Sequence, residues 1–132
     1  MMPLICMEQV PPAEMRYADV GDWHFSHKGL EIRVPRGLSD DETLLIMVHE
    51  LVEAYAARTA GLTEDDASRW DVAHHDAESP GDLSRAPYHH QHAMANKVER
   101  KLEAVLHVDD AAYQADVDRV YETVEAALHA PN

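Results

Sequence analysis

The chain has 132 residues, 45% of them hydrophobic, with 25 Asp and Glu against 11 Lys and Arg, a formal net charge of −14 and ten histidines. A length and apolar content of this kind suit one domain, 1–132, that buries roughly two-thirds of its unfolded surface, and they argue against disorder or a low-complexity tail. The acidic balance argues against nucleic-acid binding, no apolar run approaches the ~18 residues of a membrane span, and a single cysteine, Cys6, excludes an internal disulfide framework.

Residues 3–10 read as a short strand ended by Pro11-Pro12. The opening Met1-Met2-Pro3-Leu4-Ile5-Cys6-Met7 has no basic stretch of the kind that begins a signal peptide, so the expected location is cytoplasmic. From Arg16 to Phe25 the residues Tyr17, Val20, Trp23 and Phe25 are interrupted by Gly21-Asp22. Leu30 to Val34 alternates apolar and charged residues, the pattern of a half-buried strand closed by Pro35. Ser39 with Glu42 three residues on has the spacing of a capping box and opens a helix to about Ala60, with Gly61 as its stop. Within it, Leu44, Val48, Leu51 and Tyr55, widened by Leu45 and Val52, form the expected core stripe. Thr63 and Asp66 open a second helix to about His75, and residues 76–87 form a loop punctuated by Pro80-Gly81 and Pro87. Tyr88 to about His107 is a third helix, with Met94, Ala95, Val98 and Leu102 as its apolar stripe. Asp109 or Asp110 caps a fourth, in which Tyr113, Val117, Val120, Tyr121, Val124 and Leu128 keep helical spacing. The expected fold is α+β, a small N-terminal sheet followed by about four helices.

Five of the histidines crowd into residues 74–92, but His49 is the informative one, because it stands in the apolar run Leu44 to Glu53. On a helix, His49 and Glu53 lie only about 40° apart and one turn along, while Glu50 projects about 100° away. Two ligands at i and i+4 with a carboxylate at i+1 are what a helical zinc site needs: both ligands reach one ion, and the intervening Glu approaches its water from the side. An ordinary His–Glu pair on a helix surface has the same spacing. Burial favours the metal, because a His and two Glu left in an apolar setting without a partner are costly.

His49-Glu50-Leu51-Val52-Glu53 resembles a variant of the HExxH segment of the zincin metallopeptidases. A longer set of pieces resembles small uncharacterised phage and prophage proteins: Met15-Arg16-Tyr17, Gly21-Asp22-Trp23, His49 to Glu53, Pro80-Gly81-Asp82, and Ala86-Pro87-Tyr88-His89 followed by His92. The resemblance implies a zincin-like active-site helix, a zinc ion and, for a phage protein, residence in the host-cell cytoplasm. Where the zincin pattern has a second His, this chain has Glu53, so a distant His restores a His₂Glu set of the composition found in catalytic zinc sites. His92 is the first choice for that ligand, followed on nearly the same face by Asn96, Glu99 and Glu103. His89, His75, Asp76 and Glu99 are further candidates, as ligands or as partners of a ligand; Glu99 can hold a ligating imidazole or pair with Arg100 or Lys101.

With His49, Glu53 and His92 as ligands, Glu50 becomes the general base, and Tyr88, Arg85 and His90 are nearby donors for an oxyanion. The expected function is a zinc-dependent hydrolase, a narrow peptidase or small-molecule amidase. Two other readings compete. One is a phosphohydrolase using His75-Asp76 with His49, or Glu50 and Glu53 as half of a magnesium site. The other is an acidic protein that binds a basic host protein, its metal structural or absent.

Overall fold

The pattern that places everything else is the alternation in β3, Gly29–Pro35, where Leu30, Ile32 and Val34 are at most 3% exposed and the residues between them are not. The computed structural model describes residues 4–74 and 85–130. β1 (Leu4–Val10) pairs with β3 in parallel and β2 (Asp22–Ser26) pairs with it antiparallel, giving the sheet order β1-β3-β2. Gly29 closes the β2–β3 hairpin at φ +133, and a side chain there would collide with the Leu4 backbone carbonyl of β1. Helices α1 (Asp40–Thr59), α2 (Glu64–Ala73), α3 (His89–Leu106) and α4 (Asp110–Leu128) follow. The expected α+β architecture of a small N-terminal sheet and four helices is therefore the one observed.

The helix starts agree with their sequence signals. Ser39 and Glu42 make a reciprocal capping box on α1, and Thr63 with Asp66 makes another on α2, each worth about 1 kcal/mol. Asp109, not Asp110, caps α4, its carboxylate accepting from Ala112 N at 2.9 Å. His107 takes a left-handed conformation, φ 57, and turns the chain from α3 into α4.

Helix α1 is the centre of the molecule, packed between the sheet and α3. The stripe expected to enter the core does so only in part: Leu45 is fully buried and Leu51 packs against the core, but Leu44 is 43% and Tyr55 53% exposed. The buried positions are Glu42, Thr43, Leu45, Ile46, His49, Glu53, Ala54 and Ala57. The physical reason is that α1 has two neighbours rather than one. The small Ala54 and Ala57 allow it close against Trp23, Leu30 and Ile32, and the side towards α3 is occupied by His49 and Glu53. In α3, Ala95 is likewise fully buried and Leu102 half-buried, while Met94 and Val98 face out at 53% and 36% exposure. Helix α4 closes the other end: Val120 and Val124 pack on Val10 and Met15, and Tyr113 joins Val34, Leu45 and Ile46.

Candidate metal site

Where α1 meets α3 the packing turns polar. His49 and Glu53 come from adjacent turns of α1, and His92 comes from the second turn of α3. Together they form a group of side chains that can hold a metal ion, their ligand atoms all within 4.8 Å of one another. Glu53 is the hub: its Oε2 lies 3.3 Å from His49 Nε2 and 2.7 Å from His92 Nδ1. Donor atoms around a tetrahedral zinc stand roughly 3.3 Å apart, so these separations need little adjustment to receive one. The two imidazole rings meet edge to face at 4.9 Å, and the Tyr88 ring stands edge-on to His92 at 6.0 Å.

Each member is held from behind. His49 Nδ1 lies 2.7 Å from Glu99 Oε1, and an ionised carboxylate only accepts, so this bond puts the proton on Nδ1 and turns Nε2 towards Glu53 and His92. Glu99 is itself oriented, its Oε2 accepting from the Tyr113 hydroxyl at 2.8 Å. A carboxylate fixing the far nitrogen of a histidine is the usual support of a metal-ligating imidazole. On the other side, Trp23 donates its indole N–H to Glu53 Oε1 at 2.9 Å. Trp23 is in turn set by Arg16, which forms a two-pronged ion pair with buried Asp22 (2.5 and 2.8 Å) and also reaches the Trp23 carbonyl.

Electrostatics follow from this crowding. Burial depresses the His49 pKa, but hydrogen bonds to Glu53 and Glu99 and the nearby Glu50 charge outweigh it, and the imidazole ends well above its ordinary value. Burial raises the Glu53 pKa, yet its hydrogen bonds to His49 and His92 prevail and bring it down to about 2. Glu50 goes the other way: burial and the neighbouring Glu53 charge push it well up, with His49 only partly opposing. The cluster thus favours positive charge among its carboxylates.

Glu50 leaves α1 on a different side from Glu53, against the loop before β2. A methyl group on Gly21 would stand 2.6 Å from Glu50 Oε1 and 2.7 Å from Ile46 Cγ2, so the absence of a side chain there is what admits the carboxylate.

Of the residues singled out in the sequence, His49, Glu53, His92 and Glu99 converge here, with Glu50 on the flank. Glu99 holds His49 rather than pairing with Arg100 or Lys101. His89, one turn before His92, stands edge-on to His90 and is not a member of the ligand group. Tyr88 is buried, whereas Arg85 and His90 are exposed. His75 and Asp76 lie outside the described residues, and with them the His-Asp pair. Trp23, Tyr113 and Gly21 also shape the site, although in the sequence Trp23 stands only in an aromatic segment, Tyr113 only in a helical stripe and Gly21 only at a break. The signal available was chemical: a Trp N–H and a Tyr O–H that become buried require acceptors.

No protein-family model matches the chain, and neither the curated proteins nor the solved structures provide a match.

Proposed function

We propose that the chain is a metal-dependent hydrolase that holds a zinc ion between His49, Glu53 and His92 and cleaves an amide bond in a peptide or small molecule. The observation that carries this reading is the relay Tyr113–Glu99–His49, which presents a buried imidazole nitrogen to a carboxylate and a second imidazole. The donor set of two nitrogens and one oxygen suits zinc, and it does not suit Mg²⁺ or Ca²⁺, which prefer all-oxygen shells. The likeness of His49–Glu53 to the zincin helix points the same way, and the phage-type resemblance would place the enzyme in a host cell.

A bound ion supplies the positive charge that acidifies a water and polarises a carbonyl oxygen. The side chains do the rest. Glu50, next to His49 but outside the ligand group, takes a proton from the attacking water as its oxygen bonds to the carbonyl carbon. The carbon–nitrogen bond then breaks, and Glu50 returns the proton to the departing amine. Glu99 and Tyr113 keep His49 in one orientation, and the surrounding Trp23 and Tyr88 exclude bulk water.

Metal analysis of purified protein tests the reading. One zinc per chain is expected in the wild type and in Glu50→Gln, and none in His49→Ala, Glu53→Ala or His92→Ala. Glu50→Gln is expected to lose turnover of a peptide and N-acyl amino acid panel while keeping its zinc. Zinc retained in all three alanine variants overturns the ligand set. Zinc bound with no turnover in wild type or Glu50→Gln overturns the enzyme and leaves the acidic binding protein with a structural metal.

A further inference from the structure

Trp23 reads as more than a core aromatic. An indole N–H can only donate, and in a residue 5% exposed it is satisfied by a buried acceptor whose orientation it fixes. That atom is Glu53 Oε1, at 2.9 Å, while the other oxygen of the same carboxylate faces His49 and His92. The two oxygens are therefore sorted by their neighbours. The indole is not free to follow if the carboxylate rotates. Its ring is packed with Leu30, Ile32, Ala54 and Ala57 and stands edge-on to Phe25 at 6.0 Å, and the Arg16–Asp22 ion pair ties down the start of its strand.

From this geometry we infer that Trp23 is a positioning residue that makes Glu53 a one-oxygen ligand and so keeps a coordination position free for substrate or water. The inference rests on the metal reading above and deepens it. Three single-atom donors leave a four-coordinate ion one vacancy, the arrangement of catalytic zinc sites, whereas a carboxylate giving both oxygens to the ion fills that vacancy. Trp23 thus bears on whether the site is open or closed, not only on whether it binds. Arg16 and Asp22 act through Trp23, and they are the reason that a part-buried ion pair at the start of β2 bears on a ligand in α1.

The probe is the metal alone. Wild-type protein and Trp23→Phe are loaded with Co²⁺, and their visible spectra and zinc affinities, by chelator competition, are compared. Wild type is expected to give the intense visible band of a four-coordinate ion. Trp23→Phe, which keeps a ring but loses the N–H, is expected to give a weaker, higher-coordinate band and a zinc affinity changed by about 10-fold or more. Trp23→His, which restores a ring N–H, is expected to move the band back. Should the Phe variant fail to fold, the wild-type indole resonances decide, with Trp70→Phe assigning the two. Zinc is expected to shift the Trp23 N–H and leave Trp70 in place. Zinc binding with an unmoved Trp23 resonance, or with identical spectra and affinities in wild type and Trp23→Phe, overturns the inference alone. No zinc uptake by the wild type overturns the metal reading, and this inference with it.

Discussion

Helix α1 packs two sets of its buried side chains by different means, an apolar half made of Leu45 and Ile46 and a polar half made of His49 and Glu53. In the apolar half Leu45 and Ile46 meet Val34, Tyr113, Leu102 and Leu106, an apolar contact that needs no particular partner beyond shape. One turn on, His49 and Glu53 are nearly as buried, at 8% and 6% exposure, yet every contact that matters is a directed hydrogen bond. Tyr113 belongs to both halves, with its ring in the apolar cluster and its hydroxyl on Glu99. An apolar filling of the same volume serves stability as well as or better than a buried charged network. The polar half is therefore weak as a device for holding the fold together, and on the proposed reading its worth lies in the metal ion it would bind.

The largest test of that contrast is a pair of truncations read with and without zinc. Leu45→Ala is expected to lose about 2–5 kcal/mol through a cavity. Glu53→Ala is expected to lose about 3–5 kcal/mol, because the two histidines and the Trp23 N–H are left without their acceptor. The discriminating quantity is the response to metal in urea unfolding. Zinc at a hundred times its dissociation constant should add about 2.7 kcal/mol to wild type and to Leu45→Ala, and nothing to Glu53→Ala. Equal zinc responses in both variants would mean that the two halves of α1 do the same work.

Gly21→Ala sharpens the same division on the flank of the site. The added methyl meets Glu50 Oε1 and Ile46 Cγ2, so it presses on both the carboxylate and the apolar half, and about 1–3 kcal/mol of destabilisation is expected. Zinc content should be unchanged while turnover falls, since Glu50 is displaced and the ligands are not. Loss of zinc instead would place Glu50 among the ligands.

The unequal legibility of these parts in the sequence has a physical basis. Capping residues act on atoms two or three positions away, so Ser39 and Thr63 announced their helices and the pair Asp109-Asp110 announced a third to within one residue. His49 and Glu53 were legible because a helical turn brings i and i+4 together whatever the fold, and His92 because its helix offered a histidine beside an apolar stripe. Which face of α1 is buried was not legible: periodicity weights large residues such as Leu44 and Tyr55, whereas the close approach to the sheet is made by Ala54 and Ala57. Trp23 and Tyr113 were out of reach for another reason. Their partners Glu53 and Glu99 are 30 and 14 positions away, a link that only the strand–helix and helix–helix packing creates.

Tyr113→Phe is a smaller and cleaner cut, since it removes one hydroxyl and leaves the ring in the apolar cluster. Glu99 Oε2 then loses its donor, and about 1–2 kcal/mol of stability should go with it. Because Glu99 still reaches His49, zinc binding should weaken by about 10-fold rather than vanish, as measured by chelator competition. An unchanged affinity would mean that the hydroxyl serves only the fold.

The last effect is expected one turn beyond Glu99, outside the ligand group. Glu103 is 7% exposed as a residue, its Oε1 has no hydrogen-bond partner, and its carboxyl sits at the α3–α4 corner beside exposed Asp110. Burial, followed by the hydrogen bond to Asp110 and the charges of Asp110 and Glu99, raises its pKa from 4.5 to about 7. A raised carboxyl binds its proton more tightly folded than unfolded, so its contribution favours the fold below pH 4.5 and fades as pH rises towards about 7. Glu103→Gln should remove that dependence. Between pH 4.5 and 7 the stability of wild type relative to the variant should fall with a slope of at most about one proton, and be flat on either side. Glu53, with its pKa brought down to about 2, gives the opposite trend in a separate window: its contribution is present above about pH 4.5 and is lost as the pH falls towards 2. The same measurement on Glu53→Gln thus sets a charge that the polar seam stabilises against one that the corner of the helices merely tolerates. Parallel wild-type and Glu103→Gln curves across that range would mean that Glu103 is ionised in the fold, its charge taken up by solvent at the corner rather than by a shared proton.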